Sequence, residues 1–193
     1  MIKTTSEING KKVEHYDIID STQLEIHRRI KENKIEDGLI IITEKQTNGK
    51  GTHGRVWHTD EKNNIAFSFY KEVNCKSQKL DGITIELAQI VLDVFYKLYN
   101  IKLNIKFPND IVYNNKKLGG ILTESKINGE ITKYIVVGIG INTNQTKFNK
   151  DIENIASSIK NEFNIKVDNK KIIQQIIEQF EIKLKERKVI KWK

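Results

Sequence analysis

Turn signals at Pro108-Asn109, Asn114-Asn115, Gly119-Gly120 and Asn128-Gly129 cut the stretch from Ile101 to Asn144 into short apolar runs. No helix can run through that punctuation, so the stretch reads as a meander of strands. Asn128-Gly129 predicts a hairpin closed by a two-residue type I′ turn, which needs positive φ at both central positions. The segment before the meander has the opposite character. From Gln78 to Tyr99, Ile83, Leu87, Ile90, Val91, Val94, Phe95 and Leu98 recur at helical spacing on one face, predicting the longest helix of the chain.

Elsewhere the pattern is alternating. Val13 to Ile19 reads as the first strand, Ser21 or Thr22 is placed to cap a helix running to about Asn33, and Glu36-Asp37-Gly38 breaks the chain before a strand from Leu39 to Glu44. Asn64 to Tyr70 reads as another strand. Ile155 to Phe163, and then Ile172, Ile173, Ile176, Ile177, Phe180 and Leu184, read as helical. The order predicts an α+β fold, a mixed β-sheet packed against helices. No Pro/Gly/Ser linker or internal repeat marks a second unit, so residues 1–193 are expected to form a single domain, with a core over about 1–150 and a helical part over about 151–193. A chain of 193 residues is long enough to bury a sizeable core.

Composition narrows the function classes. The hydrophobic share is 38% and the mean hydropathy −0.51. No stretch approaches the ~20 apolar residues that span a bilayer, and Met1 to Gly10 lacks the apolar centre of a secretory signal, so a cytoplasmic protein with no membrane partner is expected. Cys75 is the only cysteine and there are four scattered histidines, which argues against a protein-built metal site. The net charge of +8 suits anionic ligands, but the basic residues are dispersed with no block of five or more like charges. Most of that charge reads as solvated surface, and no DNA partner is expected.

The chemistry concentrates in two places. Gln46-Thr-Asn-Gly-Lys-Gly-Thr-His-Gly-Arg-Val-Trp57 has the composition of a phosphate-handling loop. Its glycines permit positive φ and close approach of backbone amides to an anion, and Lys50 and Arg55 supply compensating charge. The glycine spacing follows neither a Walker A nor a protein-kinase loop, because Gly54 is followed by Arg55. The second place is Lys106-Phe-Pro-Asn-Asp110 with Lys117-Leu-Gly-Gly-Ile-Leu-Thr-Glu124. There Lys117, beside Gly119-Gly120, can extend its ammonium into a site closely lined by backbone. Gly138-Ile-Gly-Ile-Asn142 ends a strand with alternate glycines, leaving one face clear enough for a flat ring.

In this order and spacing the segments resemble the catalytic domain of biotin protein ligases. That family carries a Ser-Thr-Asn triplet, a Gly-Arg-Gly-rich loop ending in Arg-x-Trp, Lys-Trp-Pro-Asn-Asp, Lys-x-Gly-Gly-Ile-Leu and Gly-x-Gly-Ile-Asn. Here they stand as Ser21-Thr22-Gln23, Gly49 to Trp57, Lys106 to Asp110, Lys117 to Leu122 and Gly138 to Asn142, so the resemblance covers roughly residues 13 to 145. It implies the biotin–lipoate ligase catalytic fold, similar to class II aminoacyl-tRNA synthetases. It also implies two half-reactions: biotin and MgATP give biotinyl-5′-AMP, and a lysine of a biotin carboxyl carrier protein then takes the biotinyl group. Magnesium would be held through the ATP phosphates.

By the same resemblance, Ser21, Thr22 and Gln46 contact the ureido ring of biotin, and Gln23, Gly49, Lys50, Gly119 and Gly120 fall on the biotin side. Gly51, Thr52, His53, Gly54, Arg55, Trp57, Asn109 and Asn142 fall on the nucleotide side. Lys117 is implied to meet the acid's carboxylate and then the bridging phosphate. Asp110 can orient the incoming amine and take its proton, while Arg55 and Lys106 face the phosphates.

Plainer readings stay open: a surface loop for Gly49 to Arg55, a helix cap for Ser21 or Thr22, an Asx-turn for Asp110, and packing for Gly138 and Gly140. The chain departs from the family at Gln23 (usually Asn), Phe107 (usually Trp) and Thr52 (often Arg). An N-terminal DNA-binding domain has no room before a first strand at Val13, and a C-terminal SH3-like appendage is expected to be reduced or absent. The rival readings are a lipoate or octanoate ligase on the same fold and a basic nucleic-acid-binding module.

Overall fold

The computed structural model describes residues 2–59 and 63–190. Among the described residues nine strands form one mixed sheet: β1 (Ile2–Ile8), β2 (Lys11–Ile19), β3 (Ile40–Lys50), β4 (Val56–Thr59), β5 (Ile65–Lys76), β6 (Asn104–Lys106), β7 (Asp110–Tyr113), β8 (Lys116–Asn128) and β9 (Ile131–Ile141). The helices are α1 (Thr22–Lys31), α2 (Ile83–Tyr99), α3 (Ile159–Phe163) and α4 (Asn169–Glu186). The spatial order is β1-β2-β3-β5-β9-β8-β7-β6, with β4 paired to β3. Among the described strand pairs only β2 and β3 run parallel, and α1 is the crossover that such a pair requires.

Side chains alternate across the sheet, and the two faces meet different helices. Ile40, Phe67, Phe69, Ile135, Val137 and Ile139 join the apolar faces of α2 and α4 in the main core, to which Ile159 of α3 also belongs. Tyr16, Ile41, Tyr70 and Val136 point the other way, onto Ile26 of α1. Farther along β9 on that second face stand Gly138 and Gly140. Removing side chains there leaves the sheet surface beside the N-terminus of α1 open.

The α+β class and mixed sheet match the expectation from sequence, while several boundaries differ. A strand, β1, precedes the expected first strand at Val13; it joins β2 through Asn9-Gly10, whose φ values of 50° and 75° are those of the I′ turn expected elsewhere. The second such pair is Asn114-Asn115 (φ 46° and 62°) between β7 and β8. At the β8–β9 hairpin Asn128 pairs with Ile131, so the central residues are Gly129 and Glu130, and only Gly129 has positive φ. The hairpin is present, but its turn is shifted one residue from the expected one and is not type I′.

The helix expected from Gln78 begins at Ile83, because Gly82 with φ 74° separates it from a 3-10 turn over Ser77–Leu80. Of the helical stretch expected from Ile155, only Ile159–Phe163 is helical, starting where the Ser158 hydroxyl accepts the Asn161 amide at 3.1 Å. The largest difference lies in the glycine-rich segment. It is a β3–β4 hairpin in which Gly49 pairs with Trp57 and Lys50 with Val56, so only its tip, around Thr52–Gly54, is a loop.

Candidate functional site

On the α1 face of the sheet lies a cavity of about 360 Å³. Its floor includes Ser68 of β5, Gly138 and Gly140 of β9, and Gly120 and Leu122 of β8. Register sets these side by side: Ser68 opposite Gly138, Leu122 opposite Gly138, and Gly120 opposite Gly140. The start of α1, the β3–β4 hairpin, and Gln145, Phe148, Ile152, Ile155 and Ala156 form the walls.

One end is a hydrogen-bonding array. Ser21 is fully buried and caps α1, its hydroxyl accepting the Leu24 amide at 3.4 Å. The cap reading and the cavity-lining position therefore hold together for this residue. Asp20 accepts the Ser21 amide at 2.7 Å and takes both Nη atoms of Arg28 at 2.8 Å, which fixes the entry to the helix. The Arg28 guanidinium holds the Asp20 carboxyl below its usual range. The Gln46 Oε1 accepts the Thr22 amide at 2.9 Å and its hydroxyl at 3.3 Å, and Thr22 Oγ1 lies 2.8 Å from Ser68 Oγ. Gln23 is buried, donates from Nε2 to Glu124 at 2.7 Å, and leaves Oε1 without a partner.

The other end is cationic. Lys117 Nζ lies 2.7 Å from Asp110 Oδ1 and 5.8 Å from the centre of the Trp57 ring. Trp57 comes from β4 and packs over Gly140 and Gly120. A Cβ added to Gly140 would sit 2.4 Å from the indole, and one on Gly120 3.5 Å from it. The glycine face expected to stay clear for a flat ring is instead covered at Gly140 by the protein's own indole. Lys50 and the exposed Arg55 flank the hairpin tip, where Arg55 Nη2 reaches Thr52 Oγ1 at 3.4 Å.

Of the residues singled out from sequence, Ser21, Thr22, Gln23, Gln46, Lys50, Gly51, Thr52, Arg55, Trp57, Asn109, Lys117, Gly120 and Asn142 line the cavity. Asp110 reaches it through Lys117. Gly49 and Gly119 lie within strand pairings instead, and a side chain on Gly49 would strike the Trp57 carbonyl at 2.4 Å. His53 (φ 56°) and Gly54 (φ 73°) shape the hairpin tip, and Lys106 is exposed at the end of β6. Asn109 and Asn142 also hold backbone: Asn109 donates to Ile121 O at 3.0 Å and Asn142 to Ser157 O at 3.1 Å.

The sequence assigned no role at the site to Ser68, Glu124, His27 or the apolar wall of Phe148, Ile152 and Ile155. A serine inside the otherwise apolar run Ile65 to Tyr70 is a legible signal; the others are brought in by tertiary structure alone. Among the described residues no group of three or more His, Cys, Asp or Glu side chains could hold a metal, and no helix is long and apolar enough to cross a membrane.

Residues 16–142 match the model of the biotin/lipoate A/B protein ligase family. The bifunctional ligase/repressor BirA of Bacillus subtilis is 33% identical over 171 residues, covering 88% of this chain and 52% of that protein. The biotin--[acetyl-CoA-carboxylase] ligase of Mycobacterium tuberculosis is 30% identical over 129 residues, 65% of this chain and 47% of that one. The chain therefore spans about half the length of these relatives. Among solved structures, the biotin protein ligase of Aquifex aeolicus in complex with biotin and ATP superposes with a TM-score of 0.74 at 26% identity, covering 90% of this chain and 70% of that one.

Proposed function

The chain belongs to the biotin/lipoate A/B protein ligase family, and we propose that it is a biotin protein ligase, its residues forming one catalytic domain that works in the cytoplasm. The observation that carries this reading is the polarity of the cavity: a buried amide-and-hydroxyl array in one part and the cations Lys117, Lys50 and Arg55 in another. Biotin has matching ends, a planar ureido ring with donors and acceptors and a carboxylate on an apolar chain. Ser21, Thr22 and Gln46 bind the ring, and the neighbouring Gln23 Oε1, buried without a partner, stays unpaired when the acid brings no N–H.

The carboxylate then lies near Lys117. With MgATP as co-substrate, a carboxylate oxygen attacks the α-phosphorus, a new O–P bond forms, and pyrophosphate leaves. Attack brings two anions together, so Lys117 and Arg55 stabilise the transition state more than the separated reactants. In the second step a lysine amine of a biotin carboxyl carrier protein attacks the acyl carbon and AMP leaves. Asp110 is positioned to take the proton from that amine, which as an ammonium has no lone pair to attack with. Trp57, packed over Gly140 and Gly120, shields the mixed anhydride from water.

The test is transfer itself. Incubated with biotin, MgATP and a carrier domain, the protein should raise the carrier's intact mass by one biotinyl group. Lipoate or octanoate in place of biotin should leave it unchanged. Equal transfer of a lipoyl group would move the chain to the lipoate branch of the family.

A further inference from the structure

Resting on the biotin reading, the geometry points to Glu124, at the end of the Lys117–Glu124 segment, as the positioning residue that sets which end of the Gln23 amide the ring meets. We propose that Gln23 Oε1 is thereby fixed as an acceptor for a ligand N–H. A glutamine amide can face a cavity with either its oxygen or its NH₂, and which one it presents decides whether a ring N–H or a ring carbonyl is welcome there.

Here the choice is forced from behind. Gln23 Nε2 is 2.7 Å from Glu124 Oε2 and 3.4 Å from Val136 O, and both are acceptors. Turning the amide over would bring its oxygen against a carboxylate and a carbonyl. Glu124 is itself held by His27, whose Nε2 lies 2.7 Å from the same Oε2. That contact, with the Gln23 amide, keeps the carboxyl below its usual range and hence ionised and acceptor-only at neutral pH.

The other end of the amide is buried and unpaired. Gln23 is only 4% exposed, its Oε1 has no partner, and it faces the bare Gly138, where an added Cβ would meet it at 2.8 Å. A buried unpaired carbonyl is costly to keep, and it is resolved by a donor arriving with the ligand. A ureido N–H is such a donor; the dithiolane ring of lipoate has none.

The test is biotin binding by calorimetry to the full chain, without ATP. Gln23→Met, which keeps the volume and removes the amide, should weaken biotin by about 10-fold or more, as expected for a ligand N–H left unpaired. Glu124→Lys replaces the acceptor with a donor, which favours the turned-over amide, and should weaken biotin comparably. In the Gln23→Met background Glu124→Lys should change affinity less than about 2-fold, since the amide it acts through is gone. A purely structural Glu124 would weaken binding equally in both backgrounds, and that result overturns the proposal. So does unchanged affinity in Gln23→Met. Should Gln23→Met fail to fold, Glu124→Lys is compared with Glu124→Ala, and the lysine variant must bind more weakly. If the unmodified chain binds no biotin, the functional reading falls first and takes this inference with it, an outcome distinct from selective loss in the variants.

Discussion

The Lys117 ammonium sits 2.7 Å from the Asp110 carboxylate, so the groups assigned to the two half-reactions are paired with each other. Both are partly exposed, and a pair of that kind contributes little to stability, about 0–1 kcal/mol. Lys117→Ala should therefore fold with a nearly unchanged melting temperature. Its adenylation rate should fall by roughly 10²- to 10³-fold, the usual cost of removing one preorganised charge-stabilising contact. Asp110→Asn should retain adenylate formation and slow transfer to the carrier. Single-turnover assays of each step separate the two, and a defect in Asp110→Asn confined to adenylation contradicts the amine-activating role.

Trp57 makes a second prediction by contrast between neighbouring glycines. Gly140→Ala places a methyl 2.4 Å from the indole and must displace it, whereas Gly120→Ala meets Lys117 and Trp57 only at 3.4 to 3.5 Å. The first variant should lose about 1–3 kcal/mol of stability, as overpacking does, and shift the tryptophan emission; the second should do neither to a comparable degree. Equal effects of the two would mean that the indole does not rest on Gly140 in solution.

At the hairpin tip, Thr52 replaces the arginine frequent in the family. A hydrogen bond to a charged phosphate is worth roughly 1.5–3 kcal/mol, so its absence should speed escape of biotinyl-5′-AMP by about 10- to 150-fold. Dissociation of the intermediate from Thr52→Arg should be slower than from the unmodified protein. Identical rates would assign retention to closure of the hairpin alone.

Acid should act on the array through Asp20 and Glu124. Both carboxyls are held below their ordinary values, Asp20 chiefly by Arg28 and Glu124 chiefly by His27. A depressed folded-state pKa stabilises the fold above the unfolded value, near 4, and that stabilisation is lost as pH falls through the lowered folded value. Urea midpoints followed from about pH 5 downward should fall less steeply in Asp20→Asn and in Glu124→Gln than in the unmodified chain. Because both sites are partly exposed, added salt should shrink the difference.

How much of this was legible depended on how local the signal is. The α2 stripe, the meander after Ile101 and the cap at Ser21 are set by neighbours within a few residues, and each was readable. Strand β1 was not: Ile2-Lys-Thr-Thr-Ser-Glu-Ile8 is mostly polar, and it is an edge strand held by pairing to β2, although Asn9-Gly10 announces its turn. The glycine-rich segment looked like a loop because Gln46 to Lys50 has weak strand propensity. Pairing of Gly49 with Trp57 overrides that preference, since the bare glycine alone admits the Trp57 carbonyl. In the site, the motif residues were readable through family resemblance. Glu124 was not readable as a partner of Gln23, because the two are 101 residues apart and meet only when β8 folds beside α1.

Exchange of labelled pyrophosphate into ATP in the absence of any carrier protein reads the activation of biotin in this cavity alone. That exchange should depend on biotin, stay near background with lipoate or octanoate, and be lost in Lys117→Ala. No biotin-dependent exchange from the folded protein, or an equal rate with lipoate, would contradict the biotin reading.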